Sequence, residues 1–512
     1  MNKNNRFPNL LCVFIALLLA GAAAGCEESP SSEIKVGVGE TVITPPDPVG
    51  VSLRGFDRGG NTATGVHDDL HSRSIVVEDR DGNTVVLITV ALISVSEENV
   101  NVIRNGIQEQ TGVPVENIII SATHTHSGPS LGDPETSYAR FFNERTIESA
   151  VQAWENREPG RIGFGSTDVL GSGVNRSTLR HGGIIPDPEA AVIKVEKANG
   201  DLMGVFFNYG NHPATLDLHN LLFTEDWPYF SIREIKEEIG DEVIVGYFQS
   251  AEGNINVGYS AELSAVGAYM YNVRSFEYAE HKGRMVSDAV TDILADIETV
   301  SDLDIQVSFD YFDFPRRTTY PWTHEEALSW QQEAQASLDE MEQAVPAQPT
   351  TDEEARQWQT HARELAERGE LDTRNLIGPR AFDEYKVDLW LAGQAVRMSE
   401  RIEQLPENPD PIRMPMQSVR LGDTVFVTFP NEVFSEIGVA VKEQSPFEKT
   451  FILGLAGGRG GYIPTAAEYL EGGYVANGSP FAPQTEQVLI DASLELINRV
   501  AGSGMDNVAE RN

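Results

Sequence analysis

The chain has 512 residues, 40% of them hydrophobic, and a formal net charge of -40. That is enough apolar material for the core of one large domain or two smaller ones. A surface this acidic excludes a nucleic-acid-binding protein, which needs a basic face for phosphates.

The N-terminus reads as an export signal. Lys3 and Arg6 precede an apolar run over 10–19 that is too short to span a bilayer, followed by Ala22-Ala23-Ala24-Gly25 and Cys26. The pattern resembles a bacterial lipoprotein signal. It predicts removal of residues 1–25, lipidation of Cys26, and a flexible tether over 26–33 that holds an exported lipoprotein to a membrane of the cell envelope. Cys12 lies inside the signal, so the mature chain keeps one cysteine. Internal disulfides and cysteine-held metals are excluded, and any metal must be held by His, Asp, Glu or Tyr.

Beyond the tether, strand and helix patterns interleave. A strand over 34–43 is followed by strands over 74–78 and 84–90 around the turn Asp79-Arg80-Asp81-Gly82-Asn83. A helix over 96–110, a buried strand over 117–122 and a helix over 138–156 come next. A second hairpin turns at Ala198-Asn199-Gly200-Asp201, between strands over 191–196 and 202–209. A helix over 227–235, a strand over 242–248 and a helix over 282–297 complete the first half. Residues 323–403 are rich in Glu, Gln, Ala and Arg at helical spacing and read as a helical insert, with a break at 346–349 and a further helix over 354–368. Strands over 417–421, 424–429 and 451–455 then resume, and a helix over 484–500 closes the pattern. Interleaving of this kind predicts one α/β domain over 34–502 with a flexible tail over 503–512.

Four apolar strands end on residues able to bind metal. Ile118-Ile119-Ile120 leads into Thr123-His124-Thr125-His126, and Val205-Phe206-Phe207 leads into Asn211-His212-Pro213. The strand over 425–429 leads into Pro430-Asn431-Glu432, and the strand over 451–455 leads through a glycine-rich loop into Tyr462. Sites in open α/β sheets form beyond the carboxyl ends of strands. If these ends share an edge, His124 or His126 would meet His212, Glu432 and Tyr462. Two imidazoles and a carboxylate are a usual catalytic zinc set. His67 and His71 beside Asp68-Asp69 read as structural. Asp226 reads either as a partner that orients a histidine or as a helix N-cap. The loop over 457–461 lacks the Lys-Ser/Thr ending of a phosphate-binding loop, which excludes a nucleotide site of that kind.

Thr123-His124-Thr125-His126-Ser127-Gly128-Pro129 resembles the signature of the neutral, non-lysosomal ceramidase family. Val36-Gly37-Val38-Gly39 with Ile43-Thr44-Pro45-Pro46 resembles its opening, and Asn175-Arg176-Ser177 its Asn-Arg-Ser element. Tyr462-Ile463-Pro464-Thr465 through Tyr474 resembles its tyrosine-rich segment. The resemblance covers the family's catalytic domain, and its usual C-terminal immunoglobulin-like domain has no counterpart after Tyr474. It implies a ceramidase-like α/β domain with mixed sheets flanked by helices and an inserted helical segment. The implied activity is a zinc-dependent hydrolase of C–N amide bonds acting on the N-acyl bond of ceramide-like lipids. Zn2+ would be held by His124, His212, Glu432 and Tyr462, with His126, Arg176 and Tyr474 lining the site.

The resemblance breaks at one motif. Where the family has Gly-Asp-x-Ser-Pro-Asn, this chain has Gly253-Asn254-Ile255-Asn256-Val257-Gly258. Asn256 stands at the position of an active-site serine. It cannot act as a nucleophile, though its amide can hydrogen-bond a substrate. A zinc-water mechanism survives this change, whereas a serine-dependent one does not. Two other readings stay open: a zinc hydrolase of the same scaffold acting on another amide or ester, and a non-catalytic lipoprotein that binds lipid or glycan.

Overall fold

A computed structural model describes residues 33–56, 58, 60–177, 184–258, 274–344, 380–458 and 460–502. The signal segment, Cys26, the stretch 354–368 and the C-terminal tail lie outside the described residues. The large sheet runs in the order Ile244–Gln249, Leu202–Tyr209, Glu189–Lys197, Glu158–Asp168, Lys35–Val42, His71–Glu78, Thr84–Val90, Ile118–Ala122, and short Thr299–Val300 pairs beside Glu158–Asp168. Its two outermost pairs are parallel and the pairs between them antiparallel. A smaller sheet orders Ile305–Phe314, Ile412–Leu421, Thr424–Thr428 and Lys449–Leu453, of which the last two are parallel. Both sheets are therefore mixed, as expected.

The large sheet folds over on itself where pairing is thinnest. There Lys35 and Val36 alone pair with Pro159 and Glu158. Its two halves then face each other closely enough for Thr89 Oγ1 to donate to the Tyr247 carbonyl at 2.5 Å. The smaller sheet lies against the same interior, so Val36, Val77, Leu87, Ile193, Phe206, Phe426 and Phe451 form one apolar core. A pair of helices backs each unit. Glu97–Thr111 and Ser137–Glu155 cover the half containing Thr84–Val90, Trp227–Ile239 and Phe276–Ile293 cover the other half, and Ser435–Gln444 with Thr485–Ala501 cover the smaller sheet.

Local sequence explains these placements. Ser96 and Thr136 accept hydrogen bonds from Asn99 N and Ala139 N, and so cap the first two helices. Ile118–Ala122 is buried at every position, which accounts for its unbroken apolar run. Helix Ser137–Glu155 lies directly on Lys35–Val42. A Cβ at Gly37 or Gly39 would stand 2.1 Å from the carbonyl oxygens of Ala153 or Ser149, so the Val-Gly-Val-Gly element is a contact surface for that helix.

Between the sheet strands, helices His324–Ala344 and Arg380–Glu403 pack antiparallel. His324 N donates to Glu403 Oε1 at 2.9 Å and Trp330 Nε1 to Asp388 Oδ1 at 3.0 Å. Among the described residues no helix is long and apolar enough to cross a bilayer. Among the longer elements, strand Glu158–Asp168, strand Ile305–Phe314 and helix Ser435–Gln444 escape the sequence reading. Helix Phe276–Ile293 also starts earlier than expected, behind a Ser275 cap.

The carboxyl ends of four strands meet at one place. Ala122 N donates to Leu455 O at 3.3 Å, Gly454 N to Gln249 O at 2.8 Å, and Asn208 Nδ2 to Ile452 O at 2.9 Å. These bonds tie both halves of the large sheet to the smaller one where the singled-out histidines and Glu432 emerge.

Candidate metal centre and active site

His124 leaves the strand Ile118–Ala122 with φ 73, a left-handed conformation that is uncommon for a residue with a side chain. Its backbone N–H is held by Leu92 O at 2.9 Å, and its Nδ1 lies 2.7 Å from Ile93 O. A carbonyl can only accept, so the proton sits on Nδ1 and the Nε2 lone pair faces inward. His212 follows the strand Leu202–Tyr209 and repeats the arrangement, with Nδ1 2.8 Å from Ile255 O. The two Nε2 atoms lie 3.3 and 3.6 Å from one oxygen, Glu432 Oε2. Glu432 and Tyr462 stand opposite each other in a short parallel ladder, Glu432–Val433 with Tyr462–Ile463. All four expected ligand positions are thus brought together, and His124, His212 and Glu432 are almost wholly buried. Nitrogen lone pairs converging on a buried carboxylate suit a divalent cation, so the residues present fit the metal that the resemblance implies.

His126 lies beside this group, its Nε2 3.3 Å from His124 Nε2. Burial, and then the neighbouring histidines, push it well below the usual imidazole value, so it is neutral. Burial and the Arg176 charge hold His212 down at about 3. Arg176 is buried and spans the site: its Nη2 donates to Gly253 O at 2.9 Å and to Tyr462 Oη at 3.2 Å, and lies 3.1 Å from His212 Nε2. Burial works against its charge, and Tyr462, Tyr474 and Glu432 outweigh that effect. Tyr474 Oη lies 3.5 Å from Tyr462 Oη, and its ring stacks on Trp390 with centroids 4.7 Å apart. Trp390 belongs to helix Arg380–Glu403, so the helical segment touches the site wall. Among the described residues, Arg176 Nε, His126 Nδ1 and Asn256 Nδ2 are buried without a hydrogen-bond partner.

The departing motif divides in two. Asn254 braces the start of helix Ser435–Gln444, accepting from Ser435 N at 2.9 Å and donating to Glu436 Oε2 at 2.7 Å. Asn256 is fully buried, and its Oδ1 accepts from Val257 N at 2.8 Å. Asp226 is the N-cap of Trp227–Ile239 and also accepts from Thr215 and Leu216 N–H groups. It therefore fixes the chain just beyond His212, while backbone carbonyls orient the histidine rings. His67 pairs with Asp68 and stacks on Phe276, and His71 pairs with Glu225.

Sequence reasoning missed Glu252. A carboxylate oxygen of Glu252, one of Glu432 and a ring nitrogen of His124 lie within 4.8 Å of one another. Burial, and then Glu432, raise Glu252 well above the usual carboxylate range. The signal was available, because Glu252 follows the end of Ile244–Gln249 at the distance by which His212 follows Leu202–Tyr209.

Residues 34–256 match the family model described as neutral/alkaline non-lysosomal ceramidase, N-terminal. That stretch includes His124, His126, Arg176, His212 and Asn256, whereas Glu432, Tyr462 and Tyr474 lie beyond it. The neutral ceramidase of Pseudomonas aeruginosa is 25% identical over 276 residues, covering 48% of this chain and 39% of that protein. That of Drosophila pseudoobscura pseudoobscura is 27% identical over 238 residues, covering 41% and 33%. The matches thus span well under half the length of these relatives. In fold, the crystal structure of neutral ceramidase from Pseudomonas aeruginosa superposes with a TM-score of 0.65 at 20% identity, covering 91% of this chain and 75% of that one. A ceramidase complexed with C2 gives a TM-score of 0.66 at 18% identity, with 91% and 76% covered. Residues 34–256 are thus similar to the N-terminal part of neutral/alkaline non-lysosomal ceramidases, and most of the chain adopts the fold of the solved ceramidases.

Proposed function

We propose that this protein is a zinc-dependent amidohydrolase that cleaves the N-acyl bond of ceramide-like lipids. The observation that carries the reading is the convergence of His124 Nε2 and His212 Nε2 on Glu432 Oε2, with Arg176 alongside. In this reading His124, His212, Glu432 and Tyr462 hold the zinc. A bound zinc makes its water acidic enough to act near neutral pH and polarises a carbonyl. The chain's own residues do the rest. Arg176 stays charged in a buried place and has an Nε–H without a partner, so it is a ready donor to the oxygen of an amide as negative charge grows there. His126, neutral and hydrogen-bonding-competent at Nδ1, accepts or returns a proton. Tyr474 narrows the opening with Trp390 behind it, and the Asn256 amide donates to the substrate.

Asn256 at the family's serine position favours a second reading, in which the substrate is another amide or an ester. A panel of ceramides, N-acyl amino acids and fatty-acyl esters separates the two, with released fatty acid measured by mass spectrometry. The first reading predicts release from ceramide that stops on chelation and returns with Zn2+. Turnover of other acyl compounds alone would move the assignment to the second, and no turnover by folded, metal-loaded protein would sink both. Export and anchoring through Cys26 belong to the same proposal. A lipidated N-terminal peptide beginning at Cys26 should appear in the protein recovered from membranes and vanish in Cys26→Ser.

A further inference from the structure

Glu252 is fully buried, and among the described residues neither of its carboxylate oxygens has a hydrogen-bond partner. Its Oε2 lies near Gly454: a Cβ there would stand 2.1 Å from Ser250 O and 3.2 Å from Glu252 Oε2. The carboxyl faces the interior of the site, its oxygen within 4.8 Å of both Glu432 and His124. Glu252 thus adds a second carboxyl group to a buried cluster of acceptors, with no donor of its own among the described residues. A divalent cation reverses the balance, because every one of those atoms is then a ligand.

We propose that Glu252 is a further ligand of the metal centre, so that two carboxylates, Glu252 and Glu432, hold the ion with His124 and His212. This rests on the metal-centre reading above and adds to it. A second carboxylate brings a second negative charge to the ion. It should tighten binding, raise the coordination number and move metal preference toward ions that favour oxygen, such as Mn2+, relative to a site with a single carboxylate.

The test uses protein lacking residues 1–26, stripped with a chelator and titrated with Zn2+ and with Co2+. The comparison is between the parent, Glu252→Gln, Glu252→Asp and His124→Ala, with folding checked by circular dichroism. Affinity is read by competition with a chromophoric chelator, and coordination by the visible spectrum of the Co2+ form. The parent should take up about one ion, and His124→Ala should not. Glu252→Gln should bind roughly 10–100-fold more weakly, with an altered Co2+ spectrum. Glu252→Asp keeps a carboxylate and should fall between, and it carries the comparison if Glu252→Gln does not fold. If the Glu252 variants bind both ions with the parent's affinity and spectrum, Glu252 is not a ligand and the metal centre stands without it. If the folded parent binds neither ion, the metal centre fails and this ligand fails with it.

Discussion

Arg73, Glu225, Glu40, His71 and Asp68 cluster where strands Lys35–Val42 and His71–Glu78 meet Glu225, and His124, His126, His212, Glu432 and Glu252 lie at the carboxyl ends of the strands. Both groups bury charged or titratable side chains. In the first, every strong group is answered. Arg73 donates to Glu40 at 2.6 Å and to both oxygens of Glu225 at 3.0 and 2.9 Å, His71 pairs with Glu225 at 3.0 Å, and Asp68 accepts from Glu225 N at 2.8 Å. In the second, two imidazole nitrogens converge on one oxygen of Glu432, a backbone conformation is strained at His124, and among the described residues Glu252 has no hydrogen-bond partner. The first group closes on itself, which makes it architecture. The second is completed only by something positive, which makes it a site.

Breaking each group in turn sharpens the contrast. The largest effect should come from Arg176→Ala. Losing a buried donor to the developing oxyanion should lower kcat by roughly 10²–10³-fold while the metal is retained. Unchanged kcat on a substrate that the parent turns over would remove Arg176 from the chemistry. Glu225→Gln should do the opposite. It leaves Arg73 buried with one partner fewer and should lower the unfolding free energy by about 3–5 kcal/mol, measured in denaturant. Metal uptake by the protein that remains folded should stay near the parent's.

Acid separates the groups further. Burial pushes Glu225 up, but Arg73 and His71 prevail and hold it at about 2, against 4.5 for an ordinary glutamate. A depressed carboxyl stabilises the fold above its unfolded value and loses that contribution as pH falls. Parent stability attributable to Glu225, about 3 kcal/mol, should therefore disappear between about pH 4.5 and pH 2. The Glu225→Gln variant should show a correspondingly flatter acid limb, and an acid limb as steep as the parent's would contradict the pairing. The smallest effect concerns the site wall. Trp390→Ala removes the stack on Tyr474 and should cost about 0.5–1.5 kcal/mol of transition-state stabilisation, a drop of about 2- to 10-fold in kcat/KM. An unaltered kcat/KM would mean that helix Arg380–Glu403 does not steady Tyr474.

Much of this was legible in the sequence where one residue type had one physical meaning. Unbroken apolar runs marked the parallel strands, and a histidine or glutamate just past a strand end marked the site. Convergence was not legible, since it depends on the large sheet folding over at the short pairing of Lys35 and Val36 with Glu158 and Pro159. Strand Glu158–Asp168 was hidden by its glycines. A Cβ at Gly160 would come 2.5 Å from Glu196 O and one at Gly163 2.4 Å from Glu298 O, so residues that suggest a loop here admit close neighbours. Glu252 is hidden differently: it stands just before the motif whose departure at Asn256 draws the eye, and nothing local in the sequence turns its side chain toward His124.

The most direct test of the account is the metal content of folded protein lacking residues 1–26, by elemental analysis, for the parent, His124→Ala and Glu225→Gln. The account predicts about one zinc per chain in the parent and in Glu225→Gln, and none in His124→Ala. A folded parent without metal, or a His124→Ala variant that keeps it, would contradict the claim that the open cluster, rather than the closed one, is the working site.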